Sequence, residues 1–232
     1  MIFFAVVGLA WSPLDQLAPR FFDWFTKNPS VLDLHKQHCE GEQVLHMLKG
    51  TPMASAPDSL KIDFATGPAG RAVANFMKAE QENIGTWKID RIVEAAGPEF
   101  DAAAEGDRLR AEAATNPIVM FSFEDCPWCL LAKERLRAIE ASDAGAWIAA
   151  AGGVRVIELE ELGRSGKSLR AAIALATGRT SMPEIFVGGK CIGGFTDGEP
   201  KGDPQLCHEG APGLERLTER GDEELRRLFE AR

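Results

Sequence analysis

Residues 117–129 read Pro117-Ile118-Val119-Met120-Phe121-Ser122-Phe123-Glu124-Asp125-Cys126-Pro127-Trp128-Cys129. The apolar run Pro117–Phe121 is strand-like, whereas Leu130-Leu131-Ala132-Lys133-Glu134-Arg135-Leu136 carries a helical pattern, so the two thiols fall where a strand gives way to a helix. Cys126 is thereby placed at a helix N-terminus, where unpaired N–H groups and the positive end of the dipole favour a thiolate. A thiol in that position has its pKa lowered from about 8.5 into a range of roughly 3.5–7.5. Cys129 lies one turn further in, within reach of Cys126 and less exposed, and the pair reads as attacker and resolver. Pro127 suits the first helical position, which needs no N–H. A single C-x-x-C is also half of many zinc sites. Cys39, Cys191 and Cys207 supply no second C-x-x-C, although Cys207-His208 is an adjacent pair, and on spacing alone zinc stays open.

Outward from this junction the second half alternates strand and helix. The helix from Pro127 to about Ser142 is followed by a strand over Val154–Leu159 and a helix over Ser168–Ala176. Glu184-Ile185-Phe186-Val187 and Lys190-Cys191-Ile192, joined by Gly188-Gly189, predict a hairpin. Gly213–Arg232 is helical and charged, and Pro98–Thr115, rich in Ala, Glu and Arg, is a surface helix leading into the thiol segment. A β-α-β unit followed by a hairpin and a helix makes an α/β sandwich, a mixed sheet between helices.

The first half reads as α+β. Leu14, Leu17, Phe21, Phe22 and Phe25 recur at helical spacing after Ser12-Pro13, and a second helix follows the break at Asn28-Pro29-Ser30. That helix bears His35, His38, Cys39 and His46, which share one side but lack an anchoring carboxylate at the usual metal spacing; a solvated face is the simpler reading. Beyond a Pro/Ser/Ala-rich connection, Leu60–Phe64 and Gly85–Val93 alternate like strands around a helix over Gly70–Glu80. No catalytic constellation appears there. The division between an N-terminal region, 1–97, and a redox domain, 98–232, is placed near residue 97.

The length of 232 residues, 45% hydrophobic and 26% charged, allows one large or two modest domains with a real core. A net charge of -9 without a basic patch argues against a nucleic-acid partner. Five cysteines are odd in number and too few for a disulfide-stapled secreted scaffold, which favours thiol chemistry in a reducing compartment. The apolar run Met1–Trp11 lacks the basic n-region of a signal peptide and is too short to span a bilayer. It is either a fragmentary targeting signal or an apolar element tucked into the fold. A cytoplasmic or organellar location follows, a plastid being one option.

From about Pro98 onward the chain resembles a glutaredoxin, a member of the thioredoxin-fold group. Cys126-Pro127-Trp128-Cys129 resembles the C-P-Y-C motif, Thr177-Gly178 with Ser181-Met182-Pro183 resembles T-G…T-V-P, Ile185-Phe186-Val187 the strand after it, and Ile192–Asp197 the G-G-x-x-D turn. The resemblance implies that Cys126 attacks protein–glutathione mixed disulfides, that Cys129 resolves protein disulfides, and that Pro127 and Trp128 complete the active-site motif. It implies a cis Pro183 facing the thiol, glutathione pairing with the Met182 backbone as an added strand, and Thr196 and Asp197 holding the γ-glutamyl end, Asp197 at its amino group. Glutathione would be co-substrate, with no tightly bound cofactor or metal. Partners would be glutathione and glutathionylated or disulfide-bonded proteins.

Three features depart from the family pattern. Phe123 stands where a lysine usually precedes the first cysteine. Glu124 and Asp125 add negative charge that opposes the thiolate and repels an anionic tripeptide, leaving Lys133 or Arg179 as compensating cations. Gly198–Pro212 is longer than the family's usual link and reads as a surface loop bordering the site, with Cys207 a third, regulatory thiol, whereas Cys191 reads as packing. Two other functions stay open: an iron–sulfur cluster protein, against which Pro127 counts, and a thioredoxin-like reductase using a protein electron donor, which the missing lysine favours.

Overall fold

The structure, a computed structural model, describes residues 56–231. The apolar run 1–11, the helices expected over 12–50, the histidine-bearing segment and Cys39 lie outside the described residues. The chain divides into two compact units, Met1–Ile84 and Gly85–Arg232.

The segments expected to be strands near residues 60 and 90 are helical. Helix α1 spans Asp58–Thr66, and α2 spans Pro68–Ala96 with a non-helical residue, Ile84, at φ -130°, ψ 17°. The alternation of Leu60–Phe64 is misleading because its buried members are Lys61 and Ala65, four apart, while Leu60 is exposed. Likewise Lys88, Ile92 and Ala96 are buried at a spacing of four, one stripe of a helix and not one face of a strand. The α+β mixture read for the N-terminal region therefore contains only helix within the described residues 56–96.

From Pro98 onward the main elements follow the expected order. Helix α3 (Ala102–Ala113) starts at Asp101, whose carboxylate accepts the N–H groups of Ala103 and Ala104. Strand β1 (Ile118–Ser122), buried at every position, leads into α4 (Pro127–Glu140). A short 3₁₀ turn and α5 (Ala146–Ala150) precede β2 (Val154–Glu158), and α6 (Arg164–Thr177) precedes the hairpin of β3 (Glu184–Val187) and β4 (Lys190–Gly193). Helices α7 (Leu214–Glu219) and α8 (Glu223–Glu230) close the chain.

The sheet order is β2-β1-β3-β4. β1 runs parallel to β2, from Ile118 opposite Val154 to Ser122 opposite Glu158, and antiparallel to β3, which is antiparallel to β4. A parallel β-α-β unit joined to an antiparallel hairpin, with helices against the sheet, is the thioredoxin-like fold. Phe121 and Phe186 meet edge to face at 5.5 Å, and Ile118, Met120, Leu136, Leu169 and Ile173 are fully buried as well. Helix α3 packs along α6, and Ile92 and Ala96 pack on Ala171 and Ala174 of the same helix.

The stretch 198–212 is more than the expected surface loop. Leu206, Cys207 and Ala211 are buried. The amides of Lys201 and Asp203 donate to the Thr177 and Ala176 carbonyls at the end of α6, and a Cβ at Gly202 would stand 1.7 Å from the Ala176 oxygen, so only glycine lets the segment dock. This satisfies carbonyls that a helix end otherwise leaves unpaired.

Because Ile173 on α6 is fully buried, Ile173→Ala is expected to lower the unfolding free energy by about 2–5 kcal/mol. Denaturant unfolding checks this as a lower midpoint at unchanged slope.

Candidate active site

Helix α4 begins at the thiols because Cys126 itself caps it. Its backbone is extended, φ -78° and ψ 118°, and its Sγ accepts the Cys129 N–H at 3.4 Å, as a serine or aspartate oxygen would in an ordinary cap. Pro127 occupies the first turn without an N–H to satisfy. Trp128 and Cys129 are buried, and Cys126 is half-buried.

A second segment meets the nucleophile from the sheet side. The Cys126 thiol donates to the Met182 carbonyl at 3.7 Å, and the Met182–Pro183 peptide is cis. Arg170, buried on α6, donates to the Thr180 carbonyl and fixes the turn that carries this peptide.

The two thiols are driven apart in acidity. The Cys126 pKa is lowered, first by the hydrogen bond from the Cys129 thiol, against burial, and further by the Cys129 and Trp128 amides and the charge of Lys133. Burial raises Cys129 well above an ordinary thiol, and its bond to Cys126 and the Cys126 charge raise it further. Lowering prevails at Cys126 although Glu124 and Asp125 flank it. Glu124 is exposed, and its amide donates to the Glu160 carboxylate at 3.2 Å.

Neither cation considered as a substitute for the missing lysine is uncommitted. Lys133 Nζ lies 2.5 Å from Glu158 Oε1, both side chains largely buried. Arg179 is 4% exposed. Its Nε donates to Glu184 Oε1 at 2.6 Å, Nη1 to the Gly198 carbonyl at 2.9 Å, and Nη2 to Asp197 Oδ2 at 2.7 Å and Ser181 Oγ at 2.8 Å. Burial opposes its charge, but Glu184 and Asp197 hold its pKa above the ordinary value. Arg179 is therefore a buried tie and not a surface cation.

That tie brings the expected residues together. Asp197, partly exposed, shares its Oδ2 with Arg179 and with the Ser181 hydroxyl at 3.1 Å, so the Gly193–Asp197 turn is linked to the turn leading into Met182-Pro183. The Gly194 amide donates to the Asp197 carbonyl at 2.7 Å, and a Cβ at Gly194 would lie 2.5 Å from Asp197 Oδ1. Thr196, half-buried, precedes Asp197. Sequence reasoning missed Glu184. It is fully buried, burial pushes its carboxyl up against the pull of Arg179, and it accepts the Cys191 thiol at 3.0 Å. The available signal was a carboxylate directly after Pro183 in an otherwise apolar strand. No group of three or more His, Cys, Asp or Glu side chains is placed to hold a metal among the described residues.

A strand-to-helix thiol pair facing a cis-proline turn on a thioredoxin-like sheet defines a thiol–disulfide exchange site. Comparison with known proteins gives the family. The chain is 30% identical over 115 residues to glutaredoxin-C4, chloroplastic, of Oryza sativa subsp. japonica, covering 50% of this chain and 73% of that protein. It is 32% identical over 91 residues to monothiol glutaredoxin-S10 of the same plant, covering 39% of this chain and 49% of the relative. A solved buckwheat glutaredoxin–glutathione complex is 26% identical, with a TM-score of 0.35, over 42% of this chain and 78% of that one. No family model matches. The chain belongs to the glutaredoxin family. It spans about half the length of monothiol glutaredoxin-S10.

Because Lys133 is one of the charges lowering the Cys126 pKa, Lys133→Gln is expected to raise it. The check is the pH dependence of Cys126 alkylation: the wild-type midpoint should lie below the roughly 8.5 of a free thiol, and the variant's midpoint should lie above the wild type's.

Proposed function

We propose that the chain is a glutathione-dependent thiol–disulfide oxidoreductase acting through Cys126 and Cys129, and that this activity resides in residues 98–232. The observation that carries the reading is the acidity split between two thiols three positions apart, one capping a helix and the other buried.

Cys126 thiolate attacks the glutathione sulfur of a protein–glutathione mixed disulfide. The S–S bond breaks, the target leaves as a thiolate and takes a proton, and Cys126 carries the glutathione. A second glutathione thiolate attacks that sulfur, releasing Cys126 and oxidised glutathione. With a protein disulfide, Cys126 forms the mixed disulfide and Cys129 displaces the target, leaving a Cys126–Cys129 disulfide for two glutathiones to reduce. In this reading so reluctant a thiol as Cys129 takes its turn because part of what raises its pKa depends on Cys126. Burial is the largest cause raising its pKa and persists, but its bond to Cys126 and the Cys126 charge add to it, and both of these end when Cys126 is bonded to substrate.

In this reading glutathione pairs with the Met182 backbone beside Pro183, and Thr196 and Asp197 hold its γ-glutamyl end. The Arg179 and Ser181 ties that join these two turns support it. Targets are glutathionylated or disulfide-bonded proteins. A plastid location is carried over from the relative named chloroplastic; no helix among the described residues is long and apolar enough to cross a membrane. Commitment of Lys133 and Arg179 to buried carboxylates favours a second reading, in which a protein supplies the electrons.

The test is reduction of a glutathione mixed disulfide by glutathione, coupled to NADPH through glutathione reductase. Cys126→Ser is expected to abolish turnover, and Cys129→Ser to keep mixed-disulfide reduction while losing most protein-disulfide reduction. Equal loss in both variants overturns the division of roles. Phe123→Lys is expected to lower the KM for glutathione; wild-type inactivity with glutathione, alongside activity with a protein donor, selects the second reading.

A further inference from the structure

Two cysteines outside the active site face one another. Cys191 on β4 and Cys207 in the docked segment form a parallel bridge, with the Cys191 amide donating to the Leu206 carbonyl at 2.7 Å and the His208 amide to the Cys191 carbonyl at 2.9 Å. Residues paired across neighbouring strands lie about 4.8 Å apart with side chains on one face. That spacing is inside the about 4.4–6.8 Å between Cα atoms that a disulfide spans.

Their surroundings agree. Cys191 Sγ donates to Glu184 Oε2 at 3.0 Å, and Cys207 Sγ donates to the Ala176 carbonyl at 3.7 Å. The charges of Glu184 and Arg179 act on both thiols. Both are free and buried, and burial raises both pKa values, Cys207 to about 11, so either thiol reacts slowly at neutral pH. A pair without catalytic acidity but with bridging geometry is a place for a structural bond.

We propose that Cys191 and Cys207 are a second dithiol that closes to an intramolecular disulfide, stapling the 198–212 segment to β4. The oxidant is a small-molecule disulfide such as oxidised glutathione. Cys207, the slightly more exposed of the two, loses its proton and attacks one sulfur of that disulfide, releasing one thiol. Cys191 then loses its proton and attacks the Cys207 sulfur, expelling the second thiol. Two protein S–H groups become one S–S bond, and the small disulfide is reduced to two thiols. Closing the 191–207 loop restricts the unfolded chain, so the bond stabilises the fold. The segment so fixed runs from Gly198, whose carbonyl holds Arg179, to Gly213, which abuts the Asp197 backbone.

The test uses the full chain, incubated with oxidised glutathione until its composition stops changing, then alkylated in denaturant and mapped by mass spectrometry. A peptide pair joined through Cys191 and Cys207, two hydrogens lighter than the sum of the free peptides, is expected in wild type and in Cys126→Ser. Thermal unfolding of the oxidised Cys126→Ser protein is expected several degrees above that of its reduced form, a gain that Cys207→Ser loses. Alkylation of both Cys191 and Cys207, a stable glutathione adduct on either, or a link from either to Cys39 overturns the proposal. Using Cys126→Ser separates this outcome from that of the exchange activity, which the variant lacks.

Discussion

The amide of Cys129 points at the sulfur of Cys126, and much of this molecule follows from that one hydrogen bond. It ends a buried strand and starts a helix within a few residues, because the sulfur satisfies an N–H that the first turn leaves over. It also sets the nucleophile in the positive field of α4. The same amide adds to the lowering of the Cys126 pKa, whose largest cause is the Cys129 thiol, so the acidity of Cys126 is built into the start of the helix.

Activation of one thiol is matched by suppression of its neighbour. Cys129 donates to Cys126 and is buried with it, so Cys126 gives up its proton more readily while Cys129 keeps its own. In the proposed reaction this difference in acidity sets the order of attack and resolution. On the sheet side, Arg179 binds Glu184, Asp197, Ser181 and the Gly198 carbonyl at once. A buried ion pair of this kind carries a desolvation cost, and its return here is positional: it fixes the Asp197 turn against the Met182-Pro183 turn.

Legibility in the sequence followed the range of the interactions concerned. The second unit was readable because its signals are local: an apolar run before Cys126, Pro127 at the first helical position, two glycines in a hairpin. The helices around residues 60 and 90 were misread because short alternation mimics a strand, and the distinguishing feature, burial at a spacing of four through Lys61 and Lys88, runs through lysines that hydropathy counts as surface. In the site, Cys126, Cys129, Met182, Pro183 and Asp197 could be named in advance. The partnerships of Arg179 with Glu184 and of Cys191 with Cys207 could not, since each joins residues through the fold. The docking of 198–212 depends on Gly202 passing close to the end of α6, a contact that no local pattern announces.

The central claim of the proposed exchange chemistry is that an unbonded Cys126 adds to burial in raising the Cys129 pKa, and that this added part is lost when Cys126 bonds to sulfur. The most direct measurement is the Cys129 pKa, followed by ultraviolet thiolate absorbance against pH. It is compared between Cys126→Ala and the protein whose Cys126 carries a stable, neutral mixed disulfide, on one side, and the fully reduced protein on the other. The account requires the Cys129 titration to move to lower pH in both modified forms. A titration unchanged from the reduced protein, or displaced upward, would contradict it.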